Sequence, residues 1–177
     1  MPGALVGFYL SEAALRGMIG GGDAKAKEYY EKAVTSAMKM YERALQDNGY
    51  TMAGVKDPIN GSAEEAAAEF LAQDNKAVNW DLMTTTEEKM CAIQTQKWIS
   101  LFMIDPLEAW SEQRRTDYPV LKVSHSQAKG QKLIIRFPYP NTERNLNPNN
   151  FKEIDIYESL IFWDKKNEPR ETVSDYL

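Results

Sequence analysis

The sequence has 177 residues, of which 43% are hydrophobic, enough to bury one sizeable core, so a single domain over residues 1–177 is expected. A net charge of −5 and a pI near 5.1 argue against a nucleic-acid ligand, because phosphate binding requires clustered Lys and Arg. The lone cysteine, Cys91, excludes an intrachain disulfide, and no run of about 18 apolar residues predicts a membrane-spanning helix.

The beginning of the chain predicts a pair of helices over residues 4–18 and 24–47. The glycine run at 20–22 is interpreted as the corner between them, because a phosphate-binding loop would need Lys followed by Ser or Thr after its last glycine. Residues 1–17 lack a basic segment and Glu12 interrupts their apolar run, a pattern that does not predict a signal peptide. The buried stripe expected on the first helix consists of Val6, Tyr9, Leu10 and Ala13.

The second helix carries the clearest amphipathic pattern, and Asp23 is its predicted N-cap. Its alanines would let a neighbouring helix approach closely, as in proteins built from helix pairs. The first two helices therefore resemble one tetratricopeptide-type unit, although the strict 34-residue signature is not met. The apolar stripe has helical spacing throughout and comprises Tyr30, Ala33, Val34, Ala37, Met38, Tyr41, Ala44 and Leu45.

Residues 49–83 combine a loop, a short helix and an isolated tryptophan. Residues 49–61 contain two turn signals, and Ser62 with Glu65 then forms a capping box that begins a short helix. Trp80 follows between Asn79 and Asp81, outside any apolar periodicity.

Residues 84–119 predict two further helices joined by a hard corner. A threonine at 84 or 85 can cap the first, because each has a glutamate three residues later. Asp105 is the predicted N-cap of the second helix, Pro106 its first residue, and Glu108 would complete a capping box. The large apolar residues of this stretch are interpreted as core, Trp98 and Trp110 included. Pro119 prevents further helix.

The remaining chain is less regular. Residues 120–130 are polar and contain the single histidine, His125, which is interpreted as a surface residue because zinc would need several partners. Residues 132–137 predict one short strand, and the prolines that follow favour extended chain. The asparagine-rich residues 141–150 are typical of an ordered loop.

Three ordered stretches resemble the SusD/RagB-like outer-membrane lipoproteins, the cell-surface glycan-capture proteins of Bacteroidota. The main match is residues 96–119, through Gln96-Lys97-Trp98, Glu108-Ala109-Trp110, Arg114-Arg115-Thr116 and Tyr118-Pro119. The others are residues 8–17, with the letters FYLSEAALRG, and residues 136–140, RFPYP, followed by Asn145 and Asn147. One departure is Asp117, where the family pattern has glycine, and it concerns the local turn geometry.

The resemblance implies a fold, a function and a location. The expected fold is mainly α, with antiparallel helix pairs of tetratricopeptide and SusD type, one short strand or ribbon, and long ordered loops. Family members are much longer than this chain, so residues 1–177 are expected to be the C-terminal helical portion of a larger protein. That protein would bind glycans on the extracellular face of the outer membrane, anchored by an N-terminal lipid, and would act without catalysis beside a SusC-like TonB-dependent transporter. The alternative is a helical-repeat module that binds another protein.

No catalytic residue, metal ligand or cofactor is predicted. The sequence has 26 acidic residues, so a carboxylate pair or a calcium site cannot be located from composition alone. Sugar rings stack on aromatic faces while polar side chains bond their hydroxyls. Trp80, with Asn79 and Asp81 on either side, is therefore the candidate carbohydrate-binding site, and the alternative is that Trp80 folds under Phe70 and Leu71 and closes the core.

Overall fold

The structure is a computed structural model that describes residues 3–48, 62–121 and 133–162. The loop predicted at 49–61, His125 and the start of the predicted strand lie outside the described residues. The chain divides into two compact units after Pro119. The described residues contain six α-helices and a 3₁₀ turn: α1 (Gly3–Leu15), α2 (Gly22–Asp47), α3 (Ala63–Leu71), the 3₁₀ turn Trp80–Leu82, α4 (Thr86–Ser100), α5 (Pro106–Thr116) and α6 (Asn141–Leu146). The prediction of a mainly helical fold is confirmed.

Helices α1 and α2 form a closely packed antiparallel pair. Gly7 of α1 lies against Ala33 of α2, and Ser11, further along α1, donates its hydroxyl hydrogen to the carbonyl oxygen of Ala26, which comes earlier in α2, at 2.8 Å. The two helices therefore run in opposite directions. A Cβ atom placed on Gly7 would lie 2.8 Å from the Ala33 Cβ, too close for any real contact. Glycine on one helix and alanine on the other therefore set the interhelical distance.

The ends of α1 and α2 differ from those predicted. Helix α1 stops at Leu15, and Gly17 follows with a left-handed φ of 71°. The N-cap of α2 is Gly21, so the prediction of Asp23 as the cap is wrong. Asp23 lies in the first turn instead, where its charge still favours the partial positive end of the helix.

The buried side of α1 also differs from the predicted stripe. It consists of Ala4, Leu5, Phe8, Ser11, Glu12 and Ala14, whereas Val6 is exposed. Helix α1 is apolar almost all round, so its sequence does not select one face. The Phe8 ring packs edge-on to Tyr30 of α2, and the Tyr30 hydroxyl donates to the Val78 carbonyl oxygen.

The capping predictions for α3, α4 and α5 hold in most details. Ser62 and Glu65 form a complete capping box, and Thr85 and Glu88 form another. Asp105 caps α5 by accepting the Glu108 amide hydrogen at 3.0 Å. The Glu108 carboxylate instead accepts a hydrogen bond from the Tyr9 hydroxyl.

Two clusters of buried apolar side chains hold the first unit together. The larger joins α1, α2, α4 and the 3₁₀ turn, and it includes Tyr30, Trp80 and Ile93. The smaller joins the beginning of α1 to the corner between α4 and α5, through Leu5, Leu101 and Ala109. Trp98 is only partly buried against this smaller cluster, and Trp110 is half-buried.

The described part of the second unit contains α6 and extended chain. Residues 133–137 form no regular strand there, and one backbone hydrogen bond, from the Ile135 amide to the Ile156 carbonyl oxygen, pairs two of its segments. The Tyr139 and Phe151 rings pack edge-to-face, and Arg144 bonds Glu153 at 2.9 Å. The predicted strand therefore remains unconfirmed.

Candidate functional site

Trp80 does not offer a stacking platform. Its side chain is only 3% exposed and belongs to the larger core cluster, with Phe70 and Leu71 packed against the same cluster. The indole lies 5.3 Å from the Tyr30 ring, and its N–H donates to Asp23 at 3.4 Å. Of the two alternatives for Trp80, the structure shows burial in the core and not an exposed indole, because a large apolar ring gains more from burial than from contact with solvent.

The two polar neighbours of Trp80 remain at or near the surface, and both make internal bonds. Asn79 caps the 3₁₀ turn by accepting the Asp81 amide hydrogen at 3.1 Å, and its side chain donates to the Gln73 carbonyl oxygen. The exposed Asp81 carboxylate accepts from the Lys27 ammonium at 2.6 Å. A sugar hydroxyl at this surface would meet a carboxylate and an ammonium already paired with each other, which is compatible with hydrogen bonding to both.

Among the described residues, an extensive polar arrangement lies elsewhere, between α1, α4 and α5. We call it the ionic network and define it as Tyr9, Glu12, Arg16, Gln94, Lys97, Glu108, Glu112 and Arg115. It contains three carboxylates and three cations, so its formal charge sums to zero. Neither the network nor its location was predicted. The one indication of a buried charge in the sequence is Glu12, an acidic residue within the apolar run of α1.

Glu12 is the centre of the network on α1. Its carboxylate accepts two bonds from Arg115, at 2.9 and 2.7 Å, one from Gln94 at 2.7 Å and one from Arg16 at 2.8 Å. Burial alone would raise the pKa of Glu12, but these donors outweigh burial and lower the pKa from 4.5 to about 2. Glu12 is therefore ionised at neutral pH.

Glu112 is the corresponding carboxylate on α5. It accepts from Lys97 at 2.6 Å and from two nitrogens of Arg115, at 3.0 and 2.8 Å. Burial would raise the pKa of Glu112, but the two cations outweigh burial and lower it. Lys97 is only 1% exposed and lies 3.6 Å from the centre of the Tyr9 ring, so one cation serves both a carboxylate and an aromatic face.

The network has the properties of a structural support and lacks those of an acid–base pair. Glycoside hydrolysis needs one carboxyl group with a raised pKa beside an ionised one, and both Glu12 and Glu112 have lowered values. Burial raises the pKa of the Cys91 thiol, which makes it a poor nucleophile at neutral pH. Within the described residues no group of three or more His, Cys, Asp or Glu side chains could hold a metal ion.

No helix in the part of the chain that the structure describes is long and apolar enough to cross a membrane.

Two of the three stretches that carry the family resemblance meet in the ionic network. Residues 8–17 supply Tyr9, Glu12 and Arg16, while residues 96–119 supply Lys97, both further glutamates and Arg115. These two stretches therefore supply side chains that hold α1, α4 and α5 together.

Comparison with known proteins gives a consistent result. The family model described as SusD-like, "Susd and RagB outer membrane lipoprotein", matches residues 1–163. A solved structure described as Bacteroidetes AC2a SusD-like is 28% identical, with a TM-score of 0.61 over 83% of this chain. A SusD homologue from Bacteroides fragilis NCTC 9343 is 27% identical, with a TM-score of 0.62 over 90% of this chain. The chain spans 25% and 34% of these two structures, respectively. No curated protein matches the chain.

Proposed function

Because the chain belongs to the SusD/RagB family of outer-membrane lipoproteins, we propose that it is part of a non-catalytic, glycan-binding surface protein. The complete protein would capture oligosaccharides on the extracellular face of the outer membrane and pass them to a SusC-like TonB-dependent transporter. The observation that carries this proposal is the family match over residues 1–163 together with the likeness to two SusD-type structures.

The 177 residues are proposed to be the C-terminal helical portion of that protein. The chain covers 25% of one solved relative and 34% of the other, and its first unit is an assembly of helices held together by the ionic network. In this role the network fixes the relative positions of α1, α4 and α5. The pKa values of Glu12 and Glu112 are both lowered, so neither carboxyl group has the raised pKa that a general acid of glycoside hydrolysis needs.

Asn79 and Asp81 remain the proposed sugar contacts on this chain, with Lys27 added by its bond to Asp81. These groups can donate to and accept from ring hydroxyls, whereas the stacking contribution must come from residues other than Trp80. A contact made without an aromatic face is expected to be weak, and the complete binding site of the larger protein would supply the rest.

The proposal is tested with the complete gene product, screened against a glycan panel and titrated calorimetrically with any glycan that binds. Asp81→Ala should weaken binding measurably, while Asp74→Ala, at an exposed aspartate nearby, should not change it. Co-purification with the transporter encoded by a neighbouring gene is also expected. A gene product that binds no glycan and associates with no transporter would contradict the proposal, and hydrolysis of a bound glycan would show an enzyme instead.

A further inference from the structure

The second unit contains two arginines and two aromatic rings in one row. The Arg136 guanidinium lies 5.3 Å from the centre of the Tyr139 ring, and the Arg144 guanidinium lies 5.1 Å from the centre of the Phe151 ring. The two rings pack edge-to-face with their centres 6.4 Å apart. We call these four residues the arginine–aromatic row. All four lie within residues 136–151, so the row belongs to one compact unit.

The two arginines of the row differ in their acceptors. Arg144 bonds the Glu153 carboxylate at 2.9 Å. The Nε atom of Arg136, in contrast, is buried and has no hydrogen-bond acceptor among the described residues. A buried charged donor without an acceptor costs free energy, and nearly all such groups in folded proteins have a partner. The Arg136 guanidinium therefore requires an acceptor that the described residues do not supply.

The acidic side chains that neighbour the row in sequence already accept other hydrogen bonds. The Glu153 carboxylate is bound by Arg144, and the Glu143 carboxylate accepts from the Asn147 side chain at 2.7 Å. A guanidinium presents five donors in a planar fork, and this geometry matches a carboxylate. The acceptor best suited to Arg136 is therefore a carboxylate that a ligand brings.

The surroundings of Arg136 favour a sugar as the carrier of that carboxylate. Tyr139 is 45% exposed although Arg136 and Phe151 both pack against its ring, so part of the ring surface is open to a ligand. Sugar rings pack on such surfaces through their C–H faces. Asn141, which begins α6, and Asn145 are exposed, and side-chain amides hydrogen-bond sugar hydroxyls. An aromatic surface, amides and a guanidinium together match a sugar with a carboxylate.

We propose that the arginine–aromatic row binds a carboxylated sugar, with the Arg136 guanidinium bonding the carboxylate and the Tyr139 ring contacting the sugar ring. This inference rests on the proposed function, because it names a class of glycan that the larger protein would capture. The contact is additional to the one proposed at Asn79 and Asp81. Arg136 is then retained for binding, at a cost to the stability of the ligand-free chain.

Calorimetric titration of the complete gene product compares acidic glycans with neutral counterparts. Oligogalacturonate is paired with its methyl ester, and sialyllactose is paired with lactose, so that uronic acids and sialic acids are tested separately. At least one acidic glycan should bind about tenfold more tightly than its neutral counterpart, because a hydrogen bond to a charged group is worth about that factor or more.

Substitution of Arg136 separates a binding role from a structural one. Arg136→Gln should remove the preference for the acidic glycan, whereas Lys152→Gln, which removes one exposed positive charge from the same unit, should retain it. Without ligand, Arg136→Gln should leave the thermal midpoint unchanged or raise it, because the variant no longer buries a charge without an acceptor. A lowered midpoint would assign a structural role to Arg136 and overturn the inference.

The binding data distinguish failure of this inference from failure of the proposed function. Equal affinity for acidic and neutral glycans, or a preference that survives Arg136→Gln, would overturn the inference and leave the proposed function intact. A gene product that binds no glycan at all would contradict both. Binding of polyglutamate instead of either acidic glycan, abolished by Arg136→Gln, would assign the row to a protein partner and overturn the inference.

Discussion

The guanidinium of Arg115 and the carboxylate of Glu12 form two parallel hydrogen bonds of 2.9 and 2.7 Å across a sequence separation of 103 residues. This pair joins the first helix of the chain to the fifth. The same guanidinium also bonds Glu112, which in turn holds the buried Lys97 of α4. The planar, five-donor side chain of Arg115 thus links α1 directly to α5, and Glu112 extends the link to α4.

Glu12→Gln should lower the free energy of unfolding by about 2–4 kcal/mol, because it leaves Arg115 without its bidentate partner. This loss is smaller than the loss expected when a fully buried ion pair is broken, because the Arg115 side chain is 44% exposed and solvent screens part of its charge. Arg43→Gln, which removes the exposed pair with Asp47, is the control and should change stability by less than about 1 kcal/mol. Equal effects in denaturant unfolding would show that the network contributes no more than a surface pair.

Stability should also fall with acid, in a range set by Glu12. The pKa of Glu12 is lowered in the folded chain from 4.5 to about 2, so its contribution is fully present above pH 4.5 and is lost as the pH falls towards 2. The loss is expected to reach about 3 kcal/mol at most. The unfolding free energies should be measured in about 0.5 M salt, because salt at this concentration screens the exposed ion pairs. Under these conditions Glu12→Gln should reduce the slope of unfolding free energy against pH between pH 4.5 and 2. An unchanged slope would show that other carboxylates dominate the pH dependence.

The sequence predicted local features far better than it predicted contacts between helices. Capping residues act within three or four positions, so Ser62 and Asp105 were identified correctly and Thr85 was one of two candidates, although Asp23 was wrong. The burial of Trp80 and the partners of Glu12 depend on which helices meet, and spacing within one helix carries no information about that. Phe102 and Leu107 were expected to be core but are 64% and 59% exposed, which shows the same limit, because apolar composition predicts burial without identifying the contacts that would provide it.

Gly7→Ala tests how closely α1 and α2 approach. The new methyl group would lie 2.8 Å from the Ala33 Cβ and 3.2 Å from its Cα, so no side-chain rotation relieves the overlap. Overpacking should lower the free energy of unfolding by about 1–3 kcal/mol, and the higher helix propensity of alanine should offset up to about 1 kcal/mol of that loss. Gly3→Ala, in the same helix with nothing within 4 Å of the new atom, should be neutral or slightly stabilising. A stabilised Gly7→Ala chain would show that the two helices can separate without cost.

Trp80→Ala and Trp110→Ala should differ clearly in stability. Trp80 is buried in the larger core cluster, so its truncation should cost about 3–5 kcal/mol. Trp110 is half-buried and packs against the Arg114 guanidinium at 4.5 Å, so its truncation should cost about 1–2 kcal/mol. Chemical denaturation of both variants gives the comparison. A Trp80→Ala chain of nearly normal stability would contradict the structure at this position.

Asp117 follows the last residue of α5 with a φ of 64°, which is the left-handed conformation that favours glycine at a helix C-terminus. The resemblance implies glycine at this position, and the positive φ of Asp117 is a geometry that glycine adopts without strain. Comparing Asp117→Gly with Asp117→Ala isolates that backbone effect, because both variants remove the same carboxylate. The glycine variant should be more stable than the alanine variant by about 1 kcal/mol, since an L side chain crowds the carbonyl oxygen at positive φ. Equal thermal midpoints for the two variants would mean that the turn relaxes to a negative φ and that the end of α5 does not require the left-handed residue.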